Sequence, residues 1–234
     1  MKETDEENGI AGPLRRGGHW LWEGRGAGAR AVFAGAGPAA GREEVLARVA
    51  GRALPLAWVK QIHSATVLPA VAGACGEGDA LVSGEPGLAL AVATADCVPV
   101  LLAGPEGMAA VHAGWRGLAA GVLPAAVRAA TPAPERWTAW IGPAIGACCY
   151  EVGDEVAEQV AAASAPEVVA RGPAGRPHLD LPGAARRQLA TVGVGTIRLL
   201  AHCTRCDAER LASFRRDGRA AGRNYAFVWR EPAA

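Results

Sequence analysis

Three residues of this 234-residue chain combine the side-chain types and placement that metal or nucleophilic chemistry requires: His63, Cys97 and His112. The two histidines lie at the ends of short apolar runs, and Cys97 sits in the turn Thr94-Ala95-Asp96-Cys97 between two more. Two imidazoles and one thiolate suit zinc, and three protein ligands leave the fourth tetrahedral position to water or substrate, as in catalytic rather than structural sites. The intervals of 34 and 15 residues match no local metal motif. The same residues permit another chemistry, with Cys97 as nucleophile and His112 or His63 as the base that lowers its pKa. Residue types alone leave both open, alongside the plainer reading of a core cysteine beside two hydrogen-bonded histidines.

Other groups carry weaker signals. Cys203-Thr204-Arg205-Cys206 is a C-x-x-C that, with Cys148-Cys149, suggests a four-cysteine zinc site or a redox pair. Adjacent cysteines are poorly disposed around one tetrahedral ion, and no strand-then-helix arrangement of thioredoxin type surrounds the C-x-x-C. Buried thiols are therefore the expectation. In Val111-His112-Ala113-Gly114-Trp115-Arg116-Gly117, small residues turn a strand into a helix whose first amides and Arg116 suit an anion. Ser213-Phe214-Arg215-Arg216-Asp217-Gly218, with Gly222-Arg223, forms a second basic cluster, expected to be a solvated loop.

The elements that must position these residues follow from apolar patterning. Leu56–Val59, Leu88–Ala93, Val98–Leu102 and Met108–His112 are short apolar runs bounded by Gly, Pro and Asp, and read as buried strands. Trp137–Ile141, Thr196–Ala201 and Asn224–Trp229 add later ones, and His19–Glu23 alternates like a short strand. Helical spacing marks Arg42–Leu54, Asp154–Ala163 and Ala184–Thr191. Gly117–Ala130 is helical in composition, with Pro124 kinking it or marking a second start. Residues 1 to 18 are charged and then Gly-rich, so a flexible N-terminal segment is expected there. Residues 19 to 234 are expected to form a single compact α+β domain with mixed β-sheets flanked by helices.

Composition bounds the function. The 24 Lys and Arg nearly cancel 23 Asp and Glu, net +1, which disfavours nucleic acid and anionic membrane as partners. A chain of this length buries a core without a staple, so any metal is expected to serve chemistry rather than folding. No apolar stretch suits a membrane span, and the charged start is unlike a signal peptide, so a cytoplasmic location and reduced thiols are expected. Nothing specifies an oligomeric state.

Taken in order, six blocks resemble one family, the bacterial laccase-domain proteins, also described as multicopper polyphenol-oxidase-like proteins and as purine nucleoside phosphorylases. The blocks are Lys60-Gln61-Ile62-His63, Gly78–Ser83, Thr94–Val100, Ala110–Gly117, Ile141–Gly146 with Cys148–Gly153, and Phe214–Gly218 with Gly222-Arg223. Ala147 departs from a frequent Pro, and Leu211–Phe214 replaces a more aromatic segment.

The resemblance implies a mononuclear zinc site on His63, Cys97 and His112, with copper as an alternative occupant. It also implies phosphorolysis of adenosine, inosine and 5'-methylthioadenosine, together with adenosine deamination. Purine nucleoside and phosphate are then the small-molecule partners. On that reading Arg116 meets phosphate, and Asp79 or Asp96 transfers a proton or orients a ligand. Two other activities come with the family. Copper-dependent phenol oxidation fits worse, because a multicopper site needs more ligands than five histidines supply. Hydrolytic editing of peptidoglycan precursors would use Cys97 as nucleophile. Trp115, Tyr150 and Phe214 are the aromatics nearest the motifs for stacking a base.

Overall fold

The computed structural model describes residues 9–172 and 174–232. Two large sheets dominate. The first carries β1 (Ile10–Arg16), β2 (His19–Gly26), β3 (Ala29–Ala34), β4 (Leu56–Lys60), β6 (Gly73–Glu77), β8 (Ala89–Thr94) and β15 (Asn224–Arg230). The second carries β5 (Val67–Pro69), β7 (Ala80–Ser83), β9 (Val98–Ala103), β10 (Met108–Ala113), β11 (Thr138–Ile141) and β14 (Thr196–Leu199). A two-stranded ribbon pairs β12 (Val169–Arg171) with β13 (Pro177–Leu179). The helices are α1 (Arg42–Ala50), α2 (Trp115–Ala119), α3 (Val122–Ala130), α4 (Asp154–Ala162), α5 (Leu181–Thr191) and α6 (Phe214–Asp217).

Strand order is β1-β2-β3-β15-β8-β4-β6 in the seven-stranded sheet and β14-β11-β9-β10-β7-β5 in the six-stranded one, and both mix parallel with antiparallel pairs. The architecture is α+β in a single compact domain. Side-chain alternation sorts each strand between two hydrophobic layers. Along β9, Val98, Val100 and Leu102 pack with Leu118, Val127 and Leu189 of the helices, whereas Leu101 and Ala103 face the other sheet with Trp140 and Leu90. Along β8, Leu90 and Val92 point between the sheets, and Ala89 and Ala91 point to Val45, Leu46 and Val49 of α1. Helices therefore cover both outer faces, and the central strands are buried on both sides. That explains why they read as unbroken apolar runs instead of alternating ones.

Several expectations need revision at their edges. Ile10–Arg16 falls in the stretch expected to be flexible, yet it forms an edge strand paired with β2, with only Ile10 fully buried. An exposed strand held by backbone pairing leaves no apolar alternation to read; residues 1–8 lie outside the described residues. The helix expected over Arg42–Leu54 ends at Ala50, where Gly51 adopts the left-handed conformation (φ 77°) that closes it. The Gly117–Ala130 segment divides into α2 and α3 at Gly121 (φ 77°), and Pro124 occupies the first turn of α3, where a missing N–H is harmless. Helix α5 begins at Leu181 because Asp180 caps it, its carboxylate accepting from the Gly183 amide at 2.9 Å.

Candidate metal centre

The seam between the sheets gathers the three residues. His63 follows β4 of the seven-stranded sheet. Cys97 lies in the short connection by which the chain leaves β8 and enters β9 of the other sheet. His112 sits near the end of β10 and shares the alternation of Met108 and Ala110, so it points toward the opposing sheet. The His63 Nε2 atom lies 3.9 Å from Cys97 Sγ, and the two imidazoles meet edge to face with centroids 4.9 Å apart. One ligand atom from each residue lies within 4.8 Å of the others.

The backbone is strained to achieve this. Among the described residues only three non-glycines have positive φ, and His63 (60°) and Asp96 (95°) are two of them. Gly114 leaves the room: a Cβ there would stand 3.0 Å from both Cys97 Sγ and the His63 ring.

Asp79, fully buried in the turn before β7, organises the site. Its Oδ1 receives His112 Nδ1 at 2.8 Å and the His63 amide at 3.0 Å, and Oδ2 receives the amide and hydroxyl of Ser64 at 2.6 and 2.8 Å. One carboxylate thus shapes the turn carrying His63 and turns His112 so that its Nε2 faces the cleft. Burial alone would raise this carboxyl's pKa, but the bonds from His112 and Ser64 outweigh it and bring the pKa to about 2. Burial likewise opposes charge on the other two groups. The hydrogen bonds from His112 and His63 nevertheless lower the Cys97 thiol to about 6, and Asp79 with Cys97 raises His112 to about 9.

Asp96 plays a different part. Its Oδ1 accepts from the Thr204 hydroxyl and Oδ2 from the Arg215 amide, both at 2.6 Å, so the carboxylate ties the Cys97 turn to the 204–215 segment. Arg116 is exposed, with its guanidinium over the Trp115 ring at 4.4 Å, and lines the same cleft as the three candidate ligands.

That cleft has a volume of about 910 Å³. Its wall includes Arg42, Trp58, Arg215 and Arg223, which the sequence reading did not assign to a site. Arg42 lies over Trp58 at 3.9 Å, and Arg215 over Tyr150 at 4.9 Å. The 213–223 cluster is therefore a wall of the cleft and not merely a solvated loop. Phe214 is 54% exposed at this wall, an unusual state for a large apolar side chain. Tyr150 also lines the cleft, and burial pushes its phenol up to about 12, so it stays a hydrogen-bond donor at neutral pH.

A second group forms away from the cleft. Cys148, Cys149, Cys203 and Cys206 bring their thiols within 4.8 Å of one another, contrary to the expectation of separate buried thiols, and Cys148 and Cys206 are exposed. A tight turn, closed by the Cys149 and Tyr150 amides donating to the Gly146 carbonyl, projects the adjacent pair toward Cys206.

The family model described as multi-copper polyphenol oxidoreductase laccase matches residues 38–231. The chain belongs to this laccase-like family. Among its curated relatives, purine nucleoside phosphorylase YfiH of Escherichia coli K12 is 42% identical over 177 residues, covering 74% of this chain and 72% of that protein. Purine nucleoside phosphorylase SCO2081 of Streptomyces coelicolor is 44% identical over 182 residues, covering 74% of each. Among solved structures, YlmD from Geobacillus stearothermophilus superposes with a TM-score of 0.83 at 28% identity, covering 96% of this chain and 99% of that one. NMB0706 from Neisseria meningitidis gives 0.79 at 31% identity, covering 91% and 99%. Among the described residues of this laccase-like chain, no helix is long and apolar enough to cross a membrane.

Proposed function

We propose that this laccase-like protein is a zinc-dependent purine nucleoside phosphorylase acting on adenosine, inosine and 5'-methylthioadenosine, with adenosine deamination at the same site. The observation that carries the reading is the His63–Cys97–His112 triad, oriented by Asp79 and opening into a cleft with several arginines. The relatives named purine nucleoside phosphorylase support the substrate class.

Two imidazole nitrogens and a thiolate fit zinc by donor type, with the buried carboxylate behind His112 as the usual outer partner. A bound zinc ion supplies Lewis acidity and, for deamination, an activated water. The chain's own residues do the rest. Asp79 keeps its proton off and accepts from His112 Nδ1, which reserves Nε2 for the cleft. Arg116 offers a planar fork to phosphate, and Arg42 and Arg223 add positive charge along the same wall. Phe214, Trp115 and Tyr150 offer faces for the departing base. Asp79 and Asp96 both act as positioning carboxylates, since their oxygens are engaged by the protein itself. Phosphorolysis transfers the sugar's anomeric carbon from the base nitrogen to a phosphate oxygen, releasing free base with ribose 1-phosphate from adenosine or inosine and 5-methylthioribose 1-phosphate from 5'-methylthioadenosine.

One observation favours a second reading. A Cys97 thiol lowered to about 6 beside a His112 raised to about 9 is also a thiolate–imidazolium pair, the arrangement of a cysteine hydrolase such as an editing factor for peptidoglycan precursors. Multicopper phenol oxidation has no such support, because His19, His178 and His202 join no ligand group among the described residues.

Metal analysis paired with phosphate-dependent release of base from adenosine and inosine separates these readings. About one zinc per cleft with phosphate-dependent release, abolished by chelator and restored by zinc, is expected. Activity that survives chelation and dies with a thiol alkylator would put the nucleophile reading first.

A further inference from the structure

We infer that Cys148, Cys149, Cys203 and Cys206 form a second metal site, a closed tetrathiolate for zinc or a similar soft divalent ion, which pins the 144–150 loop to the 202–207 loop. This inference is independent of the reaction proposed for the cleft.

The geometry is already close to that of a loaded site. Four thiolates at the usual zinc–sulfur distance stand about 3.8 Å apart at the corners of a tetrahedron. Here Cys148 Sγ lies 3.8 Å and Cys149 Sγ 3.4 Å from Cys206 Sγ, and all four sulfurs fall within 4.8 Å. The C-x-x-C turn has the spacing of a zinc knuckle, and the Gly146 amide donates to Cys203 Sγ at 3.3 Å, as such sites require for a thiolate. Gly146 also keeps the interior clear: a Cβ there would press on Cys148 Sγ at 3.3 Å and Cys203 Cβ at 3.4 Å. No carboxylate or histidine belongs to the group, which selects against magnesium and calcium.

The surroundings are braced to hold it. Arg216 donates to the carbonyls of Thr204, Arg205 and Leu211, fixing the knuckle from behind. The two loops already exchange backbone bonds, with Ala144 donating to the His202 carbonyl and Thr204 to that of Ala144. Loading is not a redox step: four thiols release four protons, the divalent ion takes four thiolate bonds, and a complex of net charge minus two results. With three ligands the cleft site is open, whereas four cysteines leave no position for a substrate, so the role is structural. The Ile145 amide donates to the Asp96 carbonyl, and Thr204 holds the Asp96 carboxylate, so both tethered loops support the turn carrying Cys97.

Zinc per chain, measured on the full-length protein purified under reductant, tests the inference. Two ions are expected in the parent, one in His63→Ala/Cys97→Ser, and one in Cys203→Ser/Cys206→Ser. Cobalt(II) added to the zinc-free His63→Ala/Cys97→Ser variant should give the intense ligand-field and sulfur-to-metal charge-transfer bands of a tetrathiolate. The bands should be absent when Cys148→Ser is added to that variant. If Cys203→Ser/Cys206→Ser leaves the zinc content unchanged, the inference is wrong. It also fails if the cleft-site variant binds no cobalt, or if the zinc-saturated protein carries a disulfide among these four cysteines.

Discussion

The two sulfur-bearing clusters are assembled from different parts of the molecule. The cleft group draws on strand ends and a tight connection from two sheets, holds one residue in the left-handed region, and leaves a side open to solvent. The four-cysteine group draws on two surface loops and closes on itself. Ligand count and placement alone thus separate a centre suited to chemistry from one suited to holding loops. A metal at the four cysteines would run against the expectation that any metal here serves chemistry rather than folding. A core large enough to fold unaided does not prevent particular loops from being tied locally.

Substitutions should pull the two centres apart. The largest effect is expected from His112→Ala, which removes a ligand and leaves Asp79 buried without its main partner. Cleft metal should be lost and phosphate-dependent base release should fall more than ~100-fold, while metal at the four cysteines stays. Asp79→Asn keeps the ligands but mismatches the amides of His63 and Ser64. It should weaken cleft zinc roughly 10–100-fold by competitive chelator titration.

Arg116→Ala should raise the KM for phosphate about tenfold, the worth of one charged hydrogen bond, with zinc content unchanged. An unchanged KM would remove Arg116 from the phosphate role.

Cys203→Ser/Cys206→Ser should lower the Tm by about 4–8 °C, for a contribution of ~2 kcal/mol in a chain of this size. His63→Ala, by contrast, should move the Tm little in zinc-free protein, because its exposed side chain contributes little to the core.

The pH dependence of the metal-free protein gives a further check. Asp79 titrates lower in the native state than its ordinary 3.8, so its stabilisation is complete above that value and disappears as pH falls through about 2. His112 titrates higher than its ordinary 6.5, so its contribution is complete below 6.5 and fades as pH rises through about 9. Over the same rise the Cys97 thiol, lowered from its ordinary 9.0 to about 6, gains stabilisation that offsets the loss at His112, so denaturation of metal-free protein should show an acid flank alone, which Asp79→Asn should flatten.

The central strands could be read from sequence because burial on both faces makes them continuous apolar runs, as in Val98–Ala103 and Met108–Ala113. Gly73–Glu77 escaped because its five residues are all exposed or half-buried and carry no period. Ile10–Arg16 escaped because only Ile10 at its start is buried and the rest carries no apolar period. Within the site, residue type and position at strand ends made His63, Cys97 and His112 candidates, the family resemblance put the metal reading of them first, and the structure brings the three together. Arg42 and Trp58 were illegible as cleft residues because only packing between α1 and the seven-stranded sheet carries them there. The four cysteines were legible as a pattern, but adjacency argued against them, since a linear sequence does not show that the 146–149 turn offers both thiols to the same neighbour.

The position of the cleft centre at the seam also has a mechanical consequence. His63 hangs from one sheet and His112 from the other, and between the sheets lies an apolar layer whose contacts are numerous but individually weak and non-directional. Such layers resist separation better than they resist sliding. An ion held by His63, Cys97 and His112 would act as a rivet through two plates, so that a slip of a fraction of an ångström would misdirect its ligands. Shear stiffness of the sandwich and geometry of the proposed metal centre would then be a single property.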